Sequence, residues 1–148
     1  MAVNYRVMKC EPRHVFEVLA DGWLYPGWVV GASAMRDVDE GWPQAGARIH
    51  HSFGVWPMLL NDMTSMLEWD PPRHALLGAR GWPIGEAHVA IDVRQRGDTS
   101  NVRLTEDVVA GPARFVPKLV RDAATHARNT ETLRRLAYLA EGRAQRPQ

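Results

Sequence analysis

The chain's strongest constraint is a lopsided order of patterns. Six consecutive segments with period-two character (32–38, 46–55, 58–69, 74–81, 85–96 and 100–110) precede a single long helical pattern. The strand-like segments are separated by turn signals at Glu40-Gly41, Trp56-Pro57, Asp70-Pro71-Pro72, Trp82-Pro83 and Gly97-Asp98. Connections this short suit hairpins, so the economical topology is a meandering antiparallel sheet. In 113–141, Val116, Leu119, Val120, Ala123, Ala127, Thr130, Leu133 and Ala137 recur at helical spacing, with Gly111-Pro112 at the start and Gly142 at the stop. Upstream, residues 3–9 alternate like a strand, Glu11-Pro12 stops it in a way that suits a first helical turn, 13–20 reads as a short amphipathic helix, and 23–28 as a second brief helical turn. The expectation is an α+β domain: a curved antiparallel sheet of about seven strands around one long C-terminal helix, with two short helices after the first strand. One helix does not fill the concavity of such a sheet, and the space left over is where function is sought.

Composition narrows the class. At 148 residues, with 45% hydrophobic and 24% charged residues, the chain has the make-up of one globular domain. Roughly two-thirds of its surface would be buried without help from metal or disulfide. The domain is expected over 1–142, with 143–148 as a frayed tail. No run approaches about 18 apolar residues, so no integral membrane segment is expected. The opening MAVNYRVMKC lacks the apolar run of a secretory signal, which predicts a cytoplasmic protein. The lone Cys10 excludes an internal disulfide framework and a cysteine-based zinc site. Residues 1–74 carry a balance of −3 and residues 75–148 a balance of +4, much of it on the long helix. The basic helix face could meet a partner, but the net charge of +1 argues against nucleic acid. A homodimer stays open.

The residues carry a resemblance. The opening EPRHVFEVLADGWLYPGWVVG (11–31), the strand GARIHHSF (46–53), the turn LEWDPPRHALL (67–77) and the closing RNTETLRRLAYLAEG (128–142) resemble the SRPBCC superfamily of START and Bet v 1-like helix-grip proteins. Within it the likeness is to the bacterial polyketide cyclase/dehydrase and lipid-transport-like group, from about Val3 to Gly142. These are scaffold motifs, not a catalytic signature. The resemblance implies an internal cavity for a hydrophobic or amphipathic small molecule. Its members range from lipid carriers to cyclases, aromatases and regulatory proteins.

Alternation aims the side chains, because successive strand residues face opposite sides of a sheet. In 86–96, Ala87, Val89, Ile91 and Val93 form the apolar face. In 100–110, Glu106 shares its face with Val102, Leu104, Val108 and Ala110. A carboxylate in an apolar row needs a cation or hydroxyl beside it, or must stay neutral, or is turned to solvent by a bulge. Arg103 alternates outward, so no inward cation is visible. His51 falls on the inward face with Ile49 and Phe53, making Glu106 and His51 the candidate acid–base pair; a satisfied core histidine is the alternative. His126, beside the helical stripe, is a third polar candidate.

Trp42-Pro43, Trp56-Pro57 and Trp82-Pro83 repeat at hairpin ends, and Trp56 and Trp82 belong to the end shared with Gly111-Pro112. The resemblance puts the cavity mouth there, so these rings either rim it or cap the barrel end. Trp28, Met35, Met66 and Trp69 are assigned to core or wall. With Phe53, Leu104, Phe115 and Leu119 they complete the candidate ligand-contacting set. No HExxH, CxxC, GxGxxG, Walker or GxSxG motif is present, so neither a metal nor a nucleotide cofactor is expected. The leading expectation is a cavity protein that carries or senses a hydrophobic, lipid-like or aromatic ligand. The alternative is a cyclase/dehydratase-type enzyme using Glu106 and His51, and a third is a partner-binding module.

Overall fold

The computed structural model describes residues 2–53, 60–81 and 85–145. Seven strands form one antiparallel sheet in the order β1-β7-β6-β5-β4-β3-β2. They are β1 (Ala2–Met8), β2 (Ala32–Val38), β3 (Arg48–Phe53), β4 (Leu60–Asp70), β5 (His74–Gly81), β6 (Gly85–Arg96) and β7 (Thr99–Ala110). Two short helices, α1 (Pro12–Ala20) and α2 (Tyr25–Trp28), follow β1, and the long α3 (Lys118–Gln145) closes the chain. This is the architecture the sequence patterns predict. Pro12 sits at the first turn of α1, where its missing N–H costs nothing.

Alternation holds along the sheet. Ile49, Met66, Leu77, Ile91, Val93, Val102 and Leu104 are buried on its inner side. One irregularity preserves the pattern. Met66 pairs with Leu77 and Glu68 with Leu76, so Leu67 is an extra residue in β4. The bulge lets Met66 and Trp69, three positions apart, both pack on the core, Trp69 against the Phe16 ring at 5.3 Å.

The helix α3 packs against β1, α1 and α2. Two departures from the sequence pattern bear on the site. The regular helix begins at Lys118, after a single tight turn over Pro112–Phe115, and it runs through Gly142 to Gln145. Glycine ends a helix by turning left-handed, and Gly142 is absent from the glycines with positive φ. The buried face also differs from the apolar stripe: Asn129, Thr132, Leu133, Leu136, Ala137 and Ala140 point inward, whereas Leu119, Ala123, Ala127 and Thr130 are exposed.

Polar contacts fix the helix to the sheet. The buried Asn4 side chain of β1 donates from Nδ2 to the His126 carbonyl and to Thr130 Oγ1, both at 3.0 Å. The Lys9 N–H donates to Glu141 Oε2 at 2.8 Å, and Ser100 Oγ donates to the Cys10 carbonyl at 2.7 Å. Burial pushes the Cys10 thiol up to about 11, with the Glu141 carboxylate adding to the effect, so the thiol is unreactive.

The outer face carries a polar row across adjacent strands. Tyr5, Arg103, Asp92 and His74 are directly opposite one another on β1, β7, β6 and β5. Arg103 Nη2 donates to Asp92 Oδ2 at 3.1 Å, while His74 reaches Asp92 at 2.7 Å through Nδ1 and Glu68 at 2.9 Å through Nε2. Partial burial alone would lower the His74 pKa, but hydrogen bonds to Asp92 and Glu68 outweigh it and raise it above 6.5.

Two outcomes are expected. Asn4→Ala removes both donors to α3 and lowers unfolding stability in urea by about 1–3 kcal/mol. A histidine whose folded pKa is raised stabilises in full below its unfolded value, and that contribution fades as pH rises through the folded value. The thermal-midpoint gap between wild type and His74→Gln is therefore wider at about pH 5.5 than at about pH 8.5.

Candidate functional site

A cavity of about 360 Å³ lies between the inner face of the sheet and α3. Its apolar wall comes from Leu77, Val89, Leu104 and Val108, whose strands present them by alternation. The opposite wall comes from Val116, just ahead of α3, and from Val120, Ala124, Arg128 and Thr132, which recur every four residues along one face of the helix. The start of β6 needs its glycine: Gly85 has φ +136 and a Cβ there would lie 2.0 Å from the Ala110 carbonyl oxygen.

Glu106 faces this cavity and is 8% exposed. Its partner is Arg128, whose Nη2 donates to Glu106 Oε2 across the cavity from α3. The cation that strand alternation did not reveal thus comes from the helix. The pair offers an incoming molecule charged hydrogen-bonding groups in a largely apolar wall.

His51 is also on the cavity wall and is 2% exposed. Burial lowers its pKa below the ordinary 6.5, which favours the neutral ring. It stacks on Tyr25 with ring centroids 5.1 Å apart, and Tyr25 meets Trp28 edge-on at 5.4 Å. The Thr64 hydroxyl, fully buried on β4, sits 2.9 Å from both Tyr25 OH and His51 Nε2. Burial pushes the Tyr25 phenol up to about 12, so it keeps its proton. Where α2 hands over to β2, the Val30 N–H donates to Thr132 Oγ1 at 3.5 Å, bringing this aromatic group against α3.

Glu106, His51, Trp28 and Leu104 therefore share one cavity. Glu106 and His51 do so without bonding to each other: each has its own partner, Arg128 and Thr64. Met66, Met35 and Trp69 pack into the core and are not on the cavity wall. Phe115 and Leu119 are 89% and 85% exposed, because α3 starts three residues after Phe115 and leaves this stretch outside the sheet's grip. His126 is exposed and serves through its carbonyl, which accepts from Asn4. Trp56 and Trp82 lie outside the described residues, as does the side chain of Phe53. Alternation missed Tyr25, Arg128, Asn129 and Thr132, none of which is on a strand. Arg128, Asn129 and Thr132 do share a helical face with Arg121 and Thr125, a polar stripe that was available in the sequence. Among the described residues, no group of three His, Cys, Asp or Glu is placed to hold a metal ion, and no helix is long and apolar enough to cross a membrane.

No family model and no curated protein matches the chain. Solved structures do. It is similar to the Zhui aromatase/cyclase from Streptomyces sp. R1128, with 19% identity and TM-score 0.73 over 97% of this chain and 94% of that one. The KanY protein gives 18% identity and TM-score 0.68, covering 95% of this chain and 97% of its own. Ara h 8.0201 gives 10% identity and TM-score 0.69, with 93% and 95% covered. What is shared at such identities is the fold. The chain has the helix-grip fold of SRPBCC and Bet v 1-like proteins.

Proposed function

We propose that this protein binds a hydrophobic or amphipathic small molecule in the cavity under α3, as a carrier or sensor. The observation that carries this reading is the composition of the wall: aliphatic side chains on three strands, with the Glu106–Arg128 pair and His51 set among them. Apolar area supplies affinity, and a few fixed polar groups supply orientation. A volume of about 360 Å³ is at the low end of the roughly 300–1,000 Å³ usual for small-molecule pockets. This size suits a fused aromatic or a short acyl compound better than a two-chain lipid.

A second reading is a cyclase/dehydratase-type enzyme, favoured by a neutral imidazole and a carboxylate on one cavity wall. In that mechanism His51 takes or returns a proton and the Glu106–Arg128 pair stabilises charge on the substrate. Arg128 supplies the opposite charge that a lone Glu106 would have required from elsewhere.

Native mass spectrometry of the purified protein, followed by denaturing extraction, is expected to release a hydrophobic compound or to show an empty cavity that aromatic probes fill. Ala79→Phe, which projects a ring into the cavity from β5, should weaken that binding by at least about tenfold. An unchanged affinity would count against the cavity as the site. Glu106→Gln separates the two readings: a carrier shifts in affinity, whereas an enzyme loses turnover of a bound substrate while still binding it.

A further inference from the structure

We infer that the corner where β7 hands over to α3 docks on an anionic lipid bilayer, with Phe115 and Leu119 entering the acyl boundary and Arg114, Lys118 and Arg121 meeting the headgroups. This goes beyond the ligand-binding reading and does not depend on what the cavity holds.

Apolar exposure is the first observation. Phe115 and Leu119 are almost fully exposed, and Val116 and Val120 are exposed as well. Leu119 and Val120 are successive residues of α3, about 100° apart around its axis, so the apolar surface wraps the corner and makes no flat face. A fluid bilayer surrounds such a tip, whereas a folded partner would need a socket shaped to it. The tip is also held in place. The Arg114 N–H donates to the Gly111 carbonyl at 3.1 Å, and Arg121 Nη1 donates to the Arg114 carbonyl at 3.2 Å.

Charge says what the tip meets. Residues 111–121 read GPARFVPKLVR and carry +3 with no acid, while the rest of the chain carries −2. The acids beside the stretch leave it positive: Asp122 is a single charge, and Glu86 sits directly opposite Arg80 on β5. The stretch also lacks Ser, Thr, Asn and Gln, so its side chains are either apolar or long cations. Such cations lay their stems along apolar surface and keep their charges at the headgroup level. A protein interface would call for uncharged hydrogen-bonding groups as well. A second copy meeting through the same corner would set like charges against each other. The complement is a layer of anionic headgroups. Val116 and Val120 line the cavity too, so the docked corner lies at the cavity's edge.

The test is co-sedimentation with vesicles of phosphatidylcholine alone and of phosphatidylcholine with about one third phosphatidylglycerol. The wild type is expected to bind the anionic vesicles at least about tenfold more strongly, a preference that added salt removes. Arg114→Gln with Lys118→Gln should erase most of that preference. Phe115→Ser with Leu119→Ser should weaken binding to the anionic vesicles by at least about tenfold. Tyr138→Ser, which removes an exposed aromatic from the far half of α3, should leave it unchanged. All these side chains are exposed, so thermal midpoints should stay at the wild-type value. Wild type that ignores anionic vesicles would overturn the inference, as would serine variants at 115 and 119 that bind like wild type, or an equal loss in Tyr138→Ser. A wild-type dimer that ignores vesicles and that the serine variant dissolves would assign the corner to a second copy and overturn the lipid. Each of these failures leaves the cavity reading standing, because that reading is tested with aromatic probes and no vesicles.

Discussion

The structure depends on how unevenly one helix is held by the sheet. The C-terminal half of α3 drives Leu133, Leu136, Ala137 and Ala140 into the core. The N-terminal half lies over the concavity and lines it with Val120, Ala124 and Arg128. A straight rod cannot stay in contact with a curved seven-stranded sheet along its whole length, so packing at one end leaves space at the other. The cavity follows from that geometry.

The mismatch also explains the polarity of α3. Where the helix seals the core its inward residues are aliphatic. Where it faces the cavity, Arg128, Asn129 and Thr132 line the wall, with Arg128 set against Glu106 on the sheet and Thr132 against the Val30 N–H after α2. Asn4 fixes the rotation of the helix by holding the His126 carbonyl and Thr130 Oγ1. With that rotation set, Arg128 must point at β7, and Glu106 acquires its counter-charge.

Two polar systems thus meet in one apolar space without bonding to each other. One is the ion pair between β7 and α3; the other is the hydrogen-bonded group of Tyr25, Thr64 and His51. A buried charge is tolerable when paired, and a buried imidazole when neutral. The outer face solves the same problem differently, with a charged row from Tyr5 to His74 that water screens. The two faces of the sheet share strands but not chemistry.

Period-two alternation was enough to place Glu106 and His51 on the inner face, and strand count with turn spacing was enough for the antiparallel sheet. Those are local properties: a strand's side chains alternate whatever it packs against. The bulge at Leu67 kept both Met66 and Trp69 in the core despite their odd spacing, an outcome alternation alone could not supply. On α3 the apolar stripe misled, since Leu119 and Ala123 are exposed and Asn129 is buried. Apolar periodicity reports where a helix meets core, and half of this helix meets a cavity instead. Tyr25 was legible as an aromatic in a brief helical turn, but its stacking on His51 joins residues 26 positions apart. By itself, then, the sequence determined which face each strand side chain takes and that one helix would be too few to fill the sheet. Only the tertiary structure decided which groups meet across that space, because the rotation of α3 is set by its contacts with β1, α1 and α2, which its own periodicity does not contain.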